Sequence, residues 1–410
     1  MRVVVVDYDG GDLTLECLRS LVATDWPPGA LEVVLVDNAS PHPIVDRVAE
    51  ELPSVSIVRA GANRGFGAGC NLALHDLDGL DHVALVNNDV VVPSGWLRPL
   101  VEALEADATI GAACPKILLR DRYREVLVES ESARRRLDPR PRGVRLSGLR
   151  IGGRDCWSRA RCRAGFWGPE YRAGEPVGYW TGNGPAASLL VPDLPGGVEL
   201  LVAADRPVRA ALRAGDAVTT VDVGPAPTWH AIEPGGPAFD VIHNVGTDLV
   251  ADGYGADRGY LETDLGQRDE PTDVFAWCGA AVLLSARYLR DVGLFDEGLF
   301  LYYEDLDLAW RGRGRGWRYR TVPGSVVRHV HSAAASRDAL RTAELNERNH
   351  LRVLARHGTR TETARALWHH LLATGSYARR DLAAPLLRGE RPNPATVTLR
   401  LRALRPTPRR

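Results

Sequence analysis

Short apolar runs punctuate the first 119 residues at regular intervals. Residues 3–6, 31–36, 55–58 and 82–86 are four to six positions long and rich in Val, Leu and Ile. Runs of that length fit strands buried on both faces. Between them, residues 13–22 and 69–77 place apolar side chains three and four positions apart, the period of a helix with one buried face. Strand, helix, strand in this rhythm predicts a Rossmann-like, mostly parallel sheet covered on both sides, with ligands beyond the C-terminal ends of the strands. Asp7, Asp37 and Asn87-Asn88-Asp89 stand at those ends, around one crevice.

After Lys116 the pattern changes. Residues 120–142 are dense in charge, end in RRRLDPRPR, and read as a mobile loop. From 144 to 238 the runs AASLLVP, GVELLVAA, VRAALRA and AVTTVDVG are separated by Gly and Pro, which predicts a small inserted β-sandwich. Pro195-Gly196-Gly197 suits a hairpin turn between the first two of these runs. Residues 240–345 return to a mixed α/β pattern, and 346–385 have helical spacing. The expected units are therefore 1–119, an insert at 120–239, a second core half at 240–345, and a helical C-terminal extension at 346–410. After Ser376 nine Arg face only Asp381 and Glu390.

With 410 residues, the chain is long enough for two or three domains. At 45% hydrophobic and 25% charged it is not disordered. Lys plus Arg (51) balances Asp plus Glu (52), so no overall field favours nucleic acid. Lys116 is the single lysine, a bias expected of GC-rich coding, so Arg-rich stretches carry little functional weight by themselves. Six scattered cysteines complete neither a disulfide scaffold nor a zinc site, which fits a reduced, cytoplasmic compartment. The N-terminus shows no signal-peptide pattern, and no run of 18 apolar residues occurs.

Gly65-Phe66-Gly67-Ala68-Gly69 fails the dinucleotide-binding fingerprint, whose third glycine would fall at Cys70 and which should follow the first strand. It reads as a tight turn, either beside a ligand or without one. Asp37 could accept from a base N–H or a ribose hydroxyl, or close a local turn. Asn87-Asn88-Asp89 could hold a divalent cation against a diphosphate, or be turn residues. Glu304, Asp305 and Asp307 meet a helix start, where acids complement the dipole or one of them serves as a general base. First-turn placement should hold Asp305 ionised at neutral pH. His329 and His331, two apart on a strand, should point to opposite faces, leaving at most one in the crevice.

The stretches VVVVDYDGGDLTLECLRSL, EVVLVDNAS, NRGFGAGCNLAL, ALVNNDVVVPSGWL, FAWCGAAVLLSARYLRDVGLFDEGLFLYYEDLDLAWR and PGSVVRH occur in this order over residues 1–119 and 240–357. Together they resemble glycosyltransferase family 2, nearest to its rhamnosyltransferase-like branch with the GT-A nucleotide-diphospho-sugar transferase fold. The resemblance implies inverting transfer of a sugar from a nucleotide diphosphate, dTDP-rhamnose or another dTDP- or UDP-sugar, to a hydroxyl of a cell-envelope glycan, a lipid-linked sugar or a metabolite. It implies a donor site at Asp7, Asp37, Asn63, Gly65, Asn71, Asn87, Asn88 and Asp89, with Asp37 on the base. Asp305 would be the catalytic base, Trp277 and Glu304 would lie near the donor sugar and acceptor, and Asp89 and His329 would hold Mg²⁺ or Mn²⁺.

Departures from the pattern narrow this. Asn87 stands where the usual Asp-x-Asp begins, and Asp7 and Asp9 stand where many relatives carry Asn. The only glutamine, Gln267, precedes Arg-Asp-Glu, so the Gln-x-x-Arg-Trp element of processive members is missing and a single transfer is expected. Insert aromatics Trp157, Trp167, Tyr171, Tyr179, Trp180 and Trp229 could stack on sugars, but filling the sandwich core is the favoured reading. The basic tail could lie on an anionic membrane or simply in solvent. The rival functions are a sugar nucleotidyltransferase and a non-catalytic carbohydrate-binding scaffold; the sequence leaves the oligomeric state open.

Overall fold

The Val-rich N-terminal run forms β1 (Arg2–Asp7), with Val3 and Val5 packed in one apolar cluster and Val4 and Val6 in another. That alternation into two cores is why the strand carries no polar face. In this computed structural model, which describes residues 1–405 other than 136, 137, 139, 170, 173, 174, 177, 332–338 and 388, the chain continues through α1 (Asp12–Val22), β2 (Glu32–Asp37), α2 (Val45–Glu51), β3 (Val55–Arg59), α3 (Phe66–Leu74), β4 (His82–Val86), β5 (Val90–Val91), α4 (Leu97–Ala106) and β6 (Ile110–Leu119).

β3, β2, β1 and β4 lie side by side and parallel, in register from Asp7 beside Asp37. Strand Ala281–Ser285 runs antiparallel between β4 and β6, and the long strand Arg318–His329 runs parallel to β6 on its other side. Leu15, Leu18, Val48, Leu97 and Leu100 cover one face of the sheet. The other face is covered by α3, by α5 (Ala286–Val292) and by α6 (Glu304–Arg313), through Leu74, Tyr288 and Leu308. The fold is thus mixed α/β with a mostly parallel central sheet, as the periodicity predicts. Helix α3 starts three residues earlier than expected, and Gly69, expected at its start, lies inside it: a Cβ there would sit 2.8 Å from Val6 Cγ1.

Between β6 and the second core half, two five-stranded antiparallel sheets enclose their own core of Val, Leu, Ile and Ala. Three expectations need correcting. Residues 120–142 are not one loop, because Tyr123–Ser130 is a strand between Ala187–Pro192 and Val208–Ala214, with Val126 and Val128 turned into the core. Pro195-Gly196-Gly197 is no hairpin: Ala187–Pro192 belongs to one sheet and Val198–Ala204 to the other, so the chain crosses between sheets there. The aromatics do not fill the core either. Trp180 is buried but lies under Arg142 and Arg145, Trp229 is capped by Arg150 with 4.1 Å to the ring centroid, and Trp157 packs only at the core's margin. Small aliphatic side chains alternating along paired strands already close the gap between the sheets. The Tyr171 side chain lies outside the described residues.

The C-terminal region is helical: α7 (Ala339–His357), α8 (Arg360–Ala378), the short α9 (Ala384–Leu387) and α10 (Ala395–Ala403). Thr359 and Glu362 form a reciprocal cap that starts α8. Among the described residues no helix is long and apolar enough to cross a membrane.

Candidate functional site

Asp7, at the end of β1, is only 1% exposed, and its carboxylate is fully engaged. Oδ1 accepts from Gly10 N (3.1 Å), Thr14 Oγ1 (2.6 Å) and Asn88 Nδ2 (2.8 Å), and Oδ2 accepts from Ser40 Oγ (3.2 Å). Asp7 and Asn88 therefore brace the crevice wall by tying the ends of β1, β2 and β4 together. Asp37 accepts from Ser40 N through Oδ1 (3.0 Å), the local turn, while Oδ2 has no bonded partner among the described residues. Asn38, beside it, donates to Asn63 Oδ1 and to the Gly65 carbonyl, both at 3.1 Å, which fixes the loop into α3. Asn71 exchanges hydrogen bonds with the Phe295 backbone and so acts as a strut. Asn87 spends its backbone on Ala280 and Cys17.

Gly65 has φ +85°, and a Cβ there would lie 2.0 Å from the Phe300 carbonyl oxygen. The tight turn thus accommodates protein backbone: Phe66 N donates to that same carbonyl at 2.8 Å. The loop it meets is itself strained, with Phe300, Tyr302 and Tyr303 at φ of 67°, 67° and 69°. Non-glycine residues pay roughly 1–2 kcal/mol each in that region. Asn349 of α7, fully buried, holds the loop by donating to the carbonyls of Leu299, Leu301 and Tyr302 at 2.8–2.9 Å.

This loop delivers three acids in three directions. Asp307 is enclosed by Arg311 (3.0 Å), Arg356 (3.2 Å) and His357 (2.9 Å), a clamp between α6 and α7 that holds its carboxyl below the usual range despite burial. Glu304 is buried with Oε2 unpartnered, and burial together with the Asp305 charge pushes its carboxyl up to about 8. Asp305 keeps part of its surface open and accepts from Gly279 N at Oδ2 (3.0 Å) and Leu306 N at Oδ1 (2.8 Å). Burial raises its carboxyl too, against those two backbone donors. The first-turn placement therefore does not keep it low as expected, since desolvation outweighs the helix dipole.

On the facing wall, Asp89 Oδ1 bonds His329 Nε2 at 2.9 Å. Burial opposes its charge, but His329 outweighs this and holds Asp89 below the ordinary aspartate value. His329 Nδ1 lies 3.2 Å from His243 Nδ1, so one of those two rings carries its proton on Nδ1. His331 joins the same cluster, 4.4 Å from His243 and 5.7 Å from His329 between ring centroids. The expectation that only one of His329 and His331 faces inward fails, because the strand ends at His329 and His331 adopts φ 60°, which turns its ring back. Burial and neighbouring positive charge push His243 well below, and His331 to about 3, leaving both neutral.

Asp257 lies within electrostatic reach of both Asp305 and His329, with part of its surface open to solvent. Asn244 donates to it at 2.7 Å, and desolvation with the Asp305 charge pushes it up to about 6, while His329 works the other way. From the insert, Arg161 donates to the carbonyls of Val330 (3.0 Å) and His331 (3.3 Å), pinning the turn beyond the histidines. His243, Asp257, Arg161 and Asn349 escape sequence reasoning. Only Asn349 leaves a signal, a polar residue on the α7 stripe formed by Leu345, His350, Val353 and Leu354.

Trp277 does not reach the crevice. It is completely buried against Phe295 within the core cluster, so no sugar can contact its ring in this arrangement. Among the described residues no three or more His, Cys, Asp or Glu side chains are arranged to hold a metal. Asp89 and His329, both buried, supply one carboxylate and one imidazole, a donor pair that suits Mn²⁺ or Mg²⁺ if their mutual hydrogen bond is exchanged for the cation and ligand oxygens complete the shell.

Residues 2–164 match the model of glycosyl transferase family 2. Among solved structures, the chain is similar to the mannosyltransferase PcManGT from Pyrobaculum calidifontis in complex with GDP-Man and Mn²⁺, at 14% identity over 98% of this chain and 84% of that one, with a TM-score of 0.45. It is also similar to GalNAc-T7 with UDP, GalNAc and Mn²⁺, at 14% identity over 86% and 47%, TM-score 0.44, so it spans about half the length of that protein. A third likeness is to S. aureus TarS 1-349 in complex with UDP-GlcNAc, at 24% identity over 28% and 34%, TM-score 0.26. No curated protein matches the chain in sequence.

Proposed function

With residues 2–164 carrying the sequence pattern of glycosyl transferase family 2, we propose that the protein is an inverting, single-transfer glycosyltransferase of GT-A type. The observation that carries the reading is Asp305, displayed at the start of α6 with both oxygens oriented by backbone N–H groups and part of its surface open. Inversion needs a carboxylate that takes the acceptor hydroxyl's proton as that oxygen attacks the anomeric carbon opposite the departing diphosphate. Asp305 has the oriented lone pairs for this. Glu304, buried with an unpartnered oxygen and its carboxyl pushed up by burial and by the Asp305 charge, does not.

On the donor side, Asp37 Oδ2 is available to a base N–H, and the braces Asp7, Asn88, Asn38 and Asn63 hold it at the strand end. Asp89 and His329 would hold the divalent cation, which when bound neutralises charge on the leaving diphosphate. The donor we favour is dTDP-rhamnose, and the acceptor a hydroxyl of a glycan, a lipid-linked sugar or a small metabolite.

The test is nucleotide release from a panel of dTDP- and UDP-sugars, with Mn²⁺ and with excess chelator. The reading expects one donor, dTDP-rhamnose first, to be hydrolysed in Mn²⁺ and spared in chelator. Undiminished hydrolysis in chelator would remove the cation from the mechanism, and no binding or hydrolysis of any donor would overturn the assignment.

A further inference from the structure

Helix α8 is folded inside out. Its buried positions are Ala366, His370 and Thr374, and two of the three are polar. The His370 ring lies 3.0 Å from both Glu347 and the Arg400 carbonyl, so the inward face is held by hydrogen bonds. Turned away from the protein are Leu367, Trp368, Leu371 and Leu372, at 40%, 60%, 43% and 53% exposure. At 100° per residue, Trp368, Leu371 and Leu372 share one stripe with Ala364 and Gly375. A helix facing water shows the reverse arrangement, apolar side in and polar side out. Leu386 and Leu387 of α9, Leu401 of α10 and Leu404 just after it are exposed as well.

The charge of this region differs from that of the rest of the chain. From Arg360 to the C-terminus there are eleven Arg but only Glu362, Asp381 and Glu390, whereas the whole chain balances 51 basic against 52 acidic residues. Coding bias explains Arg in place of Lys. It does not explain the loss of acids. Other parts of the fold meet some of the excess, Asp252 pairing with Arg365 and Glu347 with the buried Arg400, while Arg360, Arg379, Arg391 and Arg405 have no ion pair among the described residues.

We propose that the outer face of α8 lies on an anionic lipid surface, its Trp and Leu stripe at the headgroup boundary and the surrounding arginines against lipid phosphates. An exposed Trp and Leu face flanked by Arg, on a helix too polar to span, is the combination that seats a helix in the interface plane. Symmetric pairing with a second copy would cover the stripe too, but it would bring two strongly basic regions together. An anionic surface satisfies both the apolar stripe and the charge. The proposal stands independently of glycosyl transfer.

The experiment is co-sedimentation of the full chain with vesicles of phosphatidylcholine alone and with phosphatidylglycerol added, at low and high salt. Wild type should bind the phosphatidylglycerol vesicles, release at high salt, and leave the neutral vesicles unbound. Trp368→Glu combined with Leu372→Glu should weaken that binding by about tenfold or more. Leu371→Gln with Leu372→Gln serves as a milder pair should the first variant misfold, each checked by thermal melting. Three outcomes would overturn the proposal: no vesicle binding, binding unchanged in folded variants, or a solution dimer that the same substitutions split. Donor hydrolysis should be the same in variant and wild type, so failure here is distinguishable from failure of the enzymatic reading.

Discussion

Glu304 and Asp305 are neighbours in sequence, and burial raises both carboxyls, yet their oxygens are served differently. Asp305's two oxygens each take a backbone N–H, which favours the anion, whereas Glu304 Oε2 is buried with no partner, which favours the acid. Asp305→Asn should therefore leave donor binding nearly intact and lower kcat by roughly 10² or more, read from the split between kcat and KM. Asp307→Asn should instead lower stability, because it removes the charge that Arg311, Arg356 and His357 enclose. Loss of turnover in Asp307→Asn with a normal rate in Asp305→Asn would reverse the assignment. Glu304 also makes stability depend on pH. Between the ordinary value of 4.5 and its folded value of about 8, the native protein holds a proton that the unfolded chain has released. Stability should thus fall as pH rises through this window, and Glu304→Gln should flatten the dependence in thermal melts taken from pH 5 to 9.

At the scale of elements, Asp305 is positioned by a strained loop rather than by its helix. The left-handed residues Phe300, Tyr302 and Tyr303 persist because the Gly65 turn and Asn349 fix the carbonyls around them. Asn349→Ala removes two buried N–H donors shared among three carbonyls and should cost about 1–3 kcal/mol in denaturant titrations. Relaxation of the loop would also move Asp305 relative to Gly279, so kcat should fall with little change in donor KM. A stable variant with wild-type kcat would show that α7 only covers the loop.

For the whole molecule, the insert meets the rest of the chain at several places, with Arg163 bonding Thr263 and Arg135 pairing with Glu390 among them. Leu119, Val241 and Leu261 pack with Tyr123 and Leu190 of the insert, and Arg161 grips the turn after His329. Tyr123 and Phe239 exchange backbone hydrogen bonds at 2.9 Å, so the chain enters and leaves the sandwich at one point. Replacing residues 122–239 with a short linker should give soluble protein that still hydrolyses donor, while transfer to acceptor is impaired. Replacing 144–238, the boundaries suggested by the sequence, should give insoluble protein, because Tyr123–Ser130 would lose both sheet neighbours and expose Val126 and Val128. Solubility and circular dichroism of the two deletions distinguish these outcomes.

The alternation of apolar runs in the first 119 residues sufficed to predict the parallel sheet, and with it the placing of Asp7, Asp37 and Asp89 at one edge, because periodicity is a local property of the chain and a buried strand has one direction in which to end. Which sheet each insert strand joins was not legible, since a strand's pattern shows that it is half-buried but not which strand lies beside it. The histidine cluster was hidden for a related reason: His243 and His329 are 86 residues apart and meet only through the packing of β6. Tertiary structure also set the three neighbouring acids apart. Ionisation depends on desolvation and on donors such as Gly279 N, 26 residues from Asp305, whereas a first-turn position supplies only the weaker field of the helix.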